Sequence, residues 1–178
     1  MKNNICIITG KPGSGKTTFI RKLLKLLQDA GLAYAGFYAD GYWQDGLRSG
    51  FDIVEVNELQ RECLCNTTAE EGDLQYRRFY FKQRGLALGS EILRKAEGNE
   101  KIVFIDEIGG FEMEGQGWAG AIEKLQQKPP GLMIWTVREN LVDEICRKFG
   151  IMPQAIWNID EAKAKEITAE IKTLLYKT

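Results

Sequence analysis

The run Gly10-Lys11-Pro12-Gly13-Ser14-Gly15-Lys16-Thr17 fits GxxxxGK[ST] at every fixed position, and each fixed residue has a chemical task. Glycines at 10, 13 and 15 let the backbone curl until successive amide hydrogens point inward, a concave nest for phosphate oxygens at a helix N-terminus. Lys16 adds a point charge for the β- and γ-phosphates, and the Thr17 hydroxyl is placed to ligate a magnesium ion. A second set lies downstream, where the apolar run Ile102-Val103-Phe104-Ile105 ends in Asp106-Glu107. An acid at the C-terminal end of a buried strand reaches magnesium held beside phosphates, so Asp106 is expected to hold the metal, through water. Glu107 beside it is placed to orient and polarise a water for in-line attack on the γ-phosphate; the plainer alternative is a Glu that only orders the next loop. Charge on a transferred phosphoryl group calls for an arginine or a polar side chain. Arg138 follows a strand ending Thr136-Val137, which puts Thr136 and Arg138 at the ligand-binding edge of a sheet. Arg48, Arg77 and Arg78 are the alternatives.

These residues need elements to hold them. Ile5-Cys6-Ile7-Ile8 reads as the strand entering the loop, and the segment from Thr18 to Ala30 reads as the helix leaving it, with Ile20, Leu23, Leu24 and Leu27 on one face and Arg21, Lys22 and Lys25 on a solvated one. Leu32 to Ala39 reads as a strand, Asp40-Gly41 and Asp45-Gly46 as turns, and Phe51 to Val56 as a half-exposed strand. Residues 32–66 are therefore expected to hold a small antiparallel excursion. The charged stretch from Thr67 to Arg78 is the expected mobile segment. A helix over Phe81 to Ala96 precedes the buried strand 102–105, and a helix near Gly117 to Gln127 precedes the strand 132–137. A helix from Glu139 to Phe149, a strand over 155–159 and a final helix to Tyr176 capped by Asp160 complete the chain. Alternating strand and helix predict one three-layer α/β domain over residues 1–178, with a mainly parallel central sheet. Trp118, Trp135, Trp157, Phe104 and Phe111 read as core, Glu112-Met113-Glu114 as a solvated loop, and the surroundings of Asn158 as a place for base contacts.

Histidine is absent, which excludes Ser-His-Asp triads, Cys-His pairs and His-ligated zinc and leaves proton transfer to carboxylates, lysine, tyrosine or water. A formal charge of -1 gives no basic field for nucleic acid. No run approaches transmembrane length, and Met1-Lys2-Asn3-Asn4 with its short apolar sequel is too brief for a leader. The four cysteines include no CxxC pair and suit a reducing cytoplasm. A monomer without nucleic-acid or membrane partners is expected; no protein partner is legible.

Taken together, the motifs resemble those of the THEP-type (cancer-related) nucleoside-triphosphatases of the P-loop superfamily. The resemblance rests on Gly10 to Thr18; Gly36-Phe37-Tyr38 with Arg48-Ser49-Gly50-Phe51-Asp52-Ile53-Val54; Arg78-Phe79-Tyr80-Phe81; and Ile105-Asp106-Glu107-Ile108-Gly109-Gly110-Phe111-Glu112-Met113-Glu114-Gly115. It implies a RecA-like sheet of order 5-1-4-3-2 and magnesium-dependent hydrolysis of ATP, GTP and other nucleoside triphosphates. By position it makes Gly10 to Thr18 the nucleotide-binding loop, Lys16 and Thr17 the phosphate and magnesium residues, Asp106 the metal acid and Glu107 the base. It also matches Arg48 to the family's RxGF element. Two other functions use the same loop: a small-molecule or nucleotide kinase, which needs an acceptor pocket and a basic lid such as Arg77, Arg78, Lys82 and Arg84, and a non-catalytic nucleotide-dependent switch.

Overall fold

The apolar run ahead of the phosphate loop becomes β1 (Ile5–Gly10), buried along its whole length in the computed structural model, which describes residues 4–99 and 101–176. Met1, Lys2 and Asn3, part of the stretch weighed as a leader, lie outside the described residues. Helix α1 (Lys16–Asp29) buries Ile20, Leu23, Leu24 and Leu27, the face its spacing predicts. There follow β2 (Tyr34–Gln44), β3 (Leu47–Glu55), β4 (Arg61–Asn66), β5 (Leu74–Tyr76) and β6 (Phe79–Phe81). Next come α2 (Gln83–Lys95), β7 (Ile102–Ile108), the short α3 (Gly110–Met113), α4 (Ala119–Gln127) and β8 (Leu132–Arg138). A 3-10 turn (Glu139–Leu141), α5 (Val142–Phe149), β9 (Ala155–Asn158) and α6 (Ala164–Tyr176) close the chain.

One sheet runs β5-β6-β4-β3-β2-β7-β8-β1-β9. Its half from β2 to β9 is parallel throughout. Numbered among themselves in chain order, those parallel strands stand 5-1-4-3-2, the arrangement the resemblance implies. The other half is antiparallel. Side chains alternate across the central strands and so build two cores. Ile5, Ile7, Val103, Ile105, Met133 and Trp135 face α2, α4 and α5, whereas Cys6, Ile8, Ile102, Phe104, Leu132 and Ile134 face α1 and α6. Trp118, Trp135, Trp157, Phe104 and Phe111 are all buried, as expected.

Four expectations change. Asp40-Gly41 is not a turn: β2 runs straight through it, because Asp40 pairs with Asp52 and Gly41 with Phe51 on β3. Arg61 then bridges the carboxylates of Asp40 and Asp52 at 2.7 and 2.9 Å, so cross-strand pairing outcompetes a local turn preference. The turn falls at Asp45-Gly46, where both residues have positive φ, 50° and 76°, as a tight hairpin requires. The antiparallel excursion extends beyond residue 66 to Phe81, because the stretch expected to be mobile contains the β5–β6 hairpin. Lys82, read as part of a basic lid, is instead buried; its ammonium reaches Asp73 at 2.7 Å, Glu70 at 3.1 Å and the Thr68 carbonyl at 2.9 Å, fastening that stretch. Finally, α6 starts at Ala164, so Asp160 is not its cap; the Asp160 amide donates to Asn158 Oδ1 in the turn before it.

Candidate functional site

The parallel strands deliver the chemistry-bearing residues to one edge of the sheet. Gly15, with φ 93°, precedes α1; no side chain caps that helix, and no acid occupies its first turn. Its leading amides and the positive end of its dipole are thus left to an anion. Lys16 is 4% exposed, and its ammonium folds back onto the carbonyls of Gly10 at 3.2 Å and Lys11 at 2.9 Å. Ser14 Oγ is buried without a hydrogen-bond partner among the described residues.

Behind the loop, Asp106 is fully buried at the end of β7. Its Oδ2 accepts from the Thr17 hydroxyl at 3.0 Å and from the Ala39 amide at 3.0 Å, and its Oδ1 accepts from the Thr136 hydroxyl. Burial first, and the Glu107 charge second, push the Asp106 carboxyl up to about 6. No lysine or arginine forms an ion pair with Asp106 among the described residues. A hydroxyl and a carboxylate beside a phosphate nest are hard oxygen donors that fit a divalent cation such as magnesium, and its charge would offset two adjacent acids.

Glu107 occupies a bulge. Ile105 pairs with Trp135 and Ile108 with Val137, so β7 carries one extra residue between those rungs. Glu107 takes left-handed φ, 63°, and its amide donates to Thr136 Oγ1 at 2.7 Å. A non-glycine residue in that region stores backbone strain, which persists where the surroundings over-determine it and which concentrates at functional sites. Here Thr136 supplies that constraint from β8: its hydroxyl gives its proton to Asp106 and receives the Glu107 amide, so one side chain positions both acids.

A cleft of about 610 Å³ lies over these groups. Of the candidate site residues singled out in the sequence, Pro12, Gly13, Gly15, Lys16, Thr17, Thr18, Arg48, Arg78, Glu107 and Arg138 line it. Gly10, Lys11, Ser14, Asp106, Thr136 and Asn158 do not line it, Asp106 and Thr136 being buried. Arg138 Nη2 stands 3.9 Å from Glu107 Oε2, a loose pair with both side chains partly in solvent. Arg48 passes over Gly41, where an added Cβ would sit 1.3 Å from its Nη1, and lies 4.3 Å from the Trp43 ring centroid. Arg78 donates to the Arg48 carbonyl at 2.7 Å. Lys16, Arg21, Arg48, Arg78 and Arg138 outnumber Asp40 and Glu107 along the cleft, a field suited to a polyanion.

Sequence reasoning missed Arg21 and Trp43. Arg21 was assigned to the solvated face of α1, but it follows Thr17 by one turn and therefore shares the cleft side. Trp43 is 60% exposed at the rim; only the continuation of β2 past Gly41 puts it there.

Glu112 also departs from expectation. It is 3% exposed rather than solvated, and its Oε2 accepts from the Gly109 amide at 3.0 Å. Burial pushes its carboxyl from 4.5 up to about 7. Above 4.5 the unfolded chain releases a proton that the folded protein keeps, so stability falls as pH rises to about 7 and then levels. Glu112→Gln should remove about 3 kcal/mol of that fall. Urea unfolding at a series of pH values reads it directly; the same slope in both proteins would refute the assignment.

A family model described as NTPase matches residues 5–172. The nucleoside-triphosphatase THEP1 of Thermotoga sp. (strain RQ2) is 29% identical over 172 residues, covering 95% of this chain and 94% of that protein. The protein of the same name from Hyperthermus butylicus is 31% identical over 153 residues, covering 85% and 79%. The solution structure of a human cancer-related nucleoside triphosphatase is similar with a TM-score of 0.71 at 24% identity, covering 100% of this chain and 99% of that one, a likeness of fold.

Proposed function

The chain belongs to the NTPase family and hydrolyses nucleoside triphosphates, and we propose that it does so in the cleft over Lys16, with magnesium as the metal and ATP and GTP among its substrates. The observation that carries this reading is the contact between Thr17 and Asp106 with Glu107 next to it on the cleft wall. Residues Gly10 to Thr18 wrap the β- and γ-phosphates with backbone amides. Lys16 exchanges its two loop carbonyls for phosphate oxygens. Thr17 and Asp106 would hold the magnesium ion, which supplies charge neutralisation on the phosphates. Glu107 takes a proton from water as the water oxygen bonds to the γ-phosphorus and the bond to the bridging oxygen breaks, leaving diphosphate and phosphate. Arg138 and Arg48 meet the charge on the transferred group. Thr136 acts through the two acids rather than on phosphate. The Trp43 face offers stacking to any base, which suits broad base tolerance.

The same reading places the protein in the reducing cytoplasm as a monomer acting on free nucleotide. Its cysteines are all free thiols, and no described helix is long and apolar enough to cross a membrane.

Phosphate should be released from ATP and from GTP with magnesium and no added acceptor, and chelation of the metal should stop it. Nucleoside diphosphate formed only with an added metabolite, with the phosphoryl group carried on that metabolite and no free phosphate, would make the protein a kinase, and tight binding without turnover would make it a switch. Arg138→Ala should lower kcat at least ~10-fold while KM stays within about threefold. An unchanged kcat would pass the role to Arg48 or Arg78.

A further inference from the structure

Water needs no pocket of its own, yet a second cavity of about 440 Å³ opens beside the phosphate cleft. The two share Phe51, Arg78, Phe79, Glu107 and Arg138. Its volume is that of a small-molecule site. Its walls are aromatic: the β5–β6 hairpin sets Tyr76 and Phe81 against Phe111 of α3, with ring centroids 5.3 Å and 4.2 Å away, and Phe81 lies within 27° of parallel to Phe111. Trp118 lines it as well. Its border is cationic. Arg77 lies 5.4 Å from the Tyr76 ring centroid and Arg78 lies 4.9 Å from that of Phe79. Arg77 borders this cavity and not the phosphate cleft. Of its two acids, Glu107 looks onto both spaces and Glu112 is committed to the Gly109 amide.

Ring faces select a flat π-system, and guanidinium forks select a carboxylate, sulfonate or phosphate. We propose that this cavity binds a planar aromatic small molecule bearing an anionic group, and that its occupant, seated against Glu107 and Arg138, controls access of water to the γ-phosphate. The binding claim stands by itself; the control claim rests on the hydrolytic reading above.

The probe is 8-anilinonaphthalene-1-sulfonate, read by its own fluorescence without nucleotide, with N-phenyl-1-naphthylamine as the uncharged comparison. Gly109 lines the cavity, and a Cβ there would meet nothing nearer than the Glu107 carbonyl at 3.9 Å, so Gly109→Leu adds bulk at the wall. Arg77→Gly removes the guanidinium and suits the φ of 54° at that turn. Trp43→Ala alters the phosphate cleft alone. One sulfonate should bind per chain; Gly109→Leu should weaken it at least ~10-fold, Arg77→Gly about fivefold, and Trp43→Ala less than twofold. Arg77→Gly should leave the uncharged amine unaffected. Sulfonate affinity indifferent to Gly109→Leu and Arg77→Gly, or lost in Trp43→Ala, overturns the site. Should Gly109→Leu fail to fold in a thermal scan, the contrast between sulfonate and amine in Arg77→Gly decides alone. Saturating sulfonate should change phosphate release from ATP by at least about threefold in the natural protein. Binding with an unchanged rate overturns the control claim, and binding by a protein that releases no phosphate overturns the hydrolytic reading only.

Discussion

Glu107→Gln should bind a non-hydrolysable triphosphate at least as well as the natural protein and lose at least ~100-fold in kcat. The amide keeps the size of the side chain, and the backbone bond that positions it, from the Glu107 amide to Thr136 Oγ1 at 2.7 Å, is untouched. What disappears is the ability to accept a proton. Loss of the charge also removes a repulsion that raises the Asp106 carboxyl, so the metal acid is not weakened by the change. Single-turnover phosphate release, set beside equilibrium binding of the non-hydrolysable analogue, separates the two effects. Ordinary turnover would end the case for Glu107 as base, whereas parallel losses in binding and rate would reassign it to positioning.

Lys16→Ala should cost at least ~100-fold in triphosphate affinity, since charge-assisted hydrogen bonds to phosphate are among the strong ones and this ammonium is poised at the nest. Its present partners are neutral carbonyls of Gly10 and Lys11, so a phosphate offers a net gain in charge pairing. Stability should move little by comparison, because removing a buried ammonium also removes its desolvation penalty. Calorimetric titration with ATP and magnesium, alongside a thermal scan, distinguishes the outcomes. Near-normal affinity would reduce Lys16 to a clasp for the loop.

What was legible in the sequence is what local pattern controls. The loop, the strands built on the apolar runs 5–8 and 102–105 and the face of α1 follow from spacing and apolar runs. The parallel order came from the family resemblance. What escaped depends on partners far along the chain. Asp40-Gly41 has turn chemistry, but β3 and Arg61 hold it extended, and with it go the placements of Trp43 and Arg48. Lys82 and Asp73 look like solvated charges until the chain folds them together. Thr136 sits at the expected edge of the sheet, yet its hydroxyl is consumed by Asp106 and the Glu107 amide. A bulge at Glu107 leaves no mark in the sequence, since only a register shift against β8 creates it.

The sheet ends on both sides in short strands, β5 with 3 residues and β9 with 4. A foreign strand docking on either margin would find few free backbone groups to pair with, and so little enthalpy to gain. That matters most at β9, where Ile156 is 52% exposed and would otherwise invite sticking. Among the described residues nine strands form one sheet, a large template for fibrous stacking; brevity at the margins caps its growth and helps keep crowded copies apart.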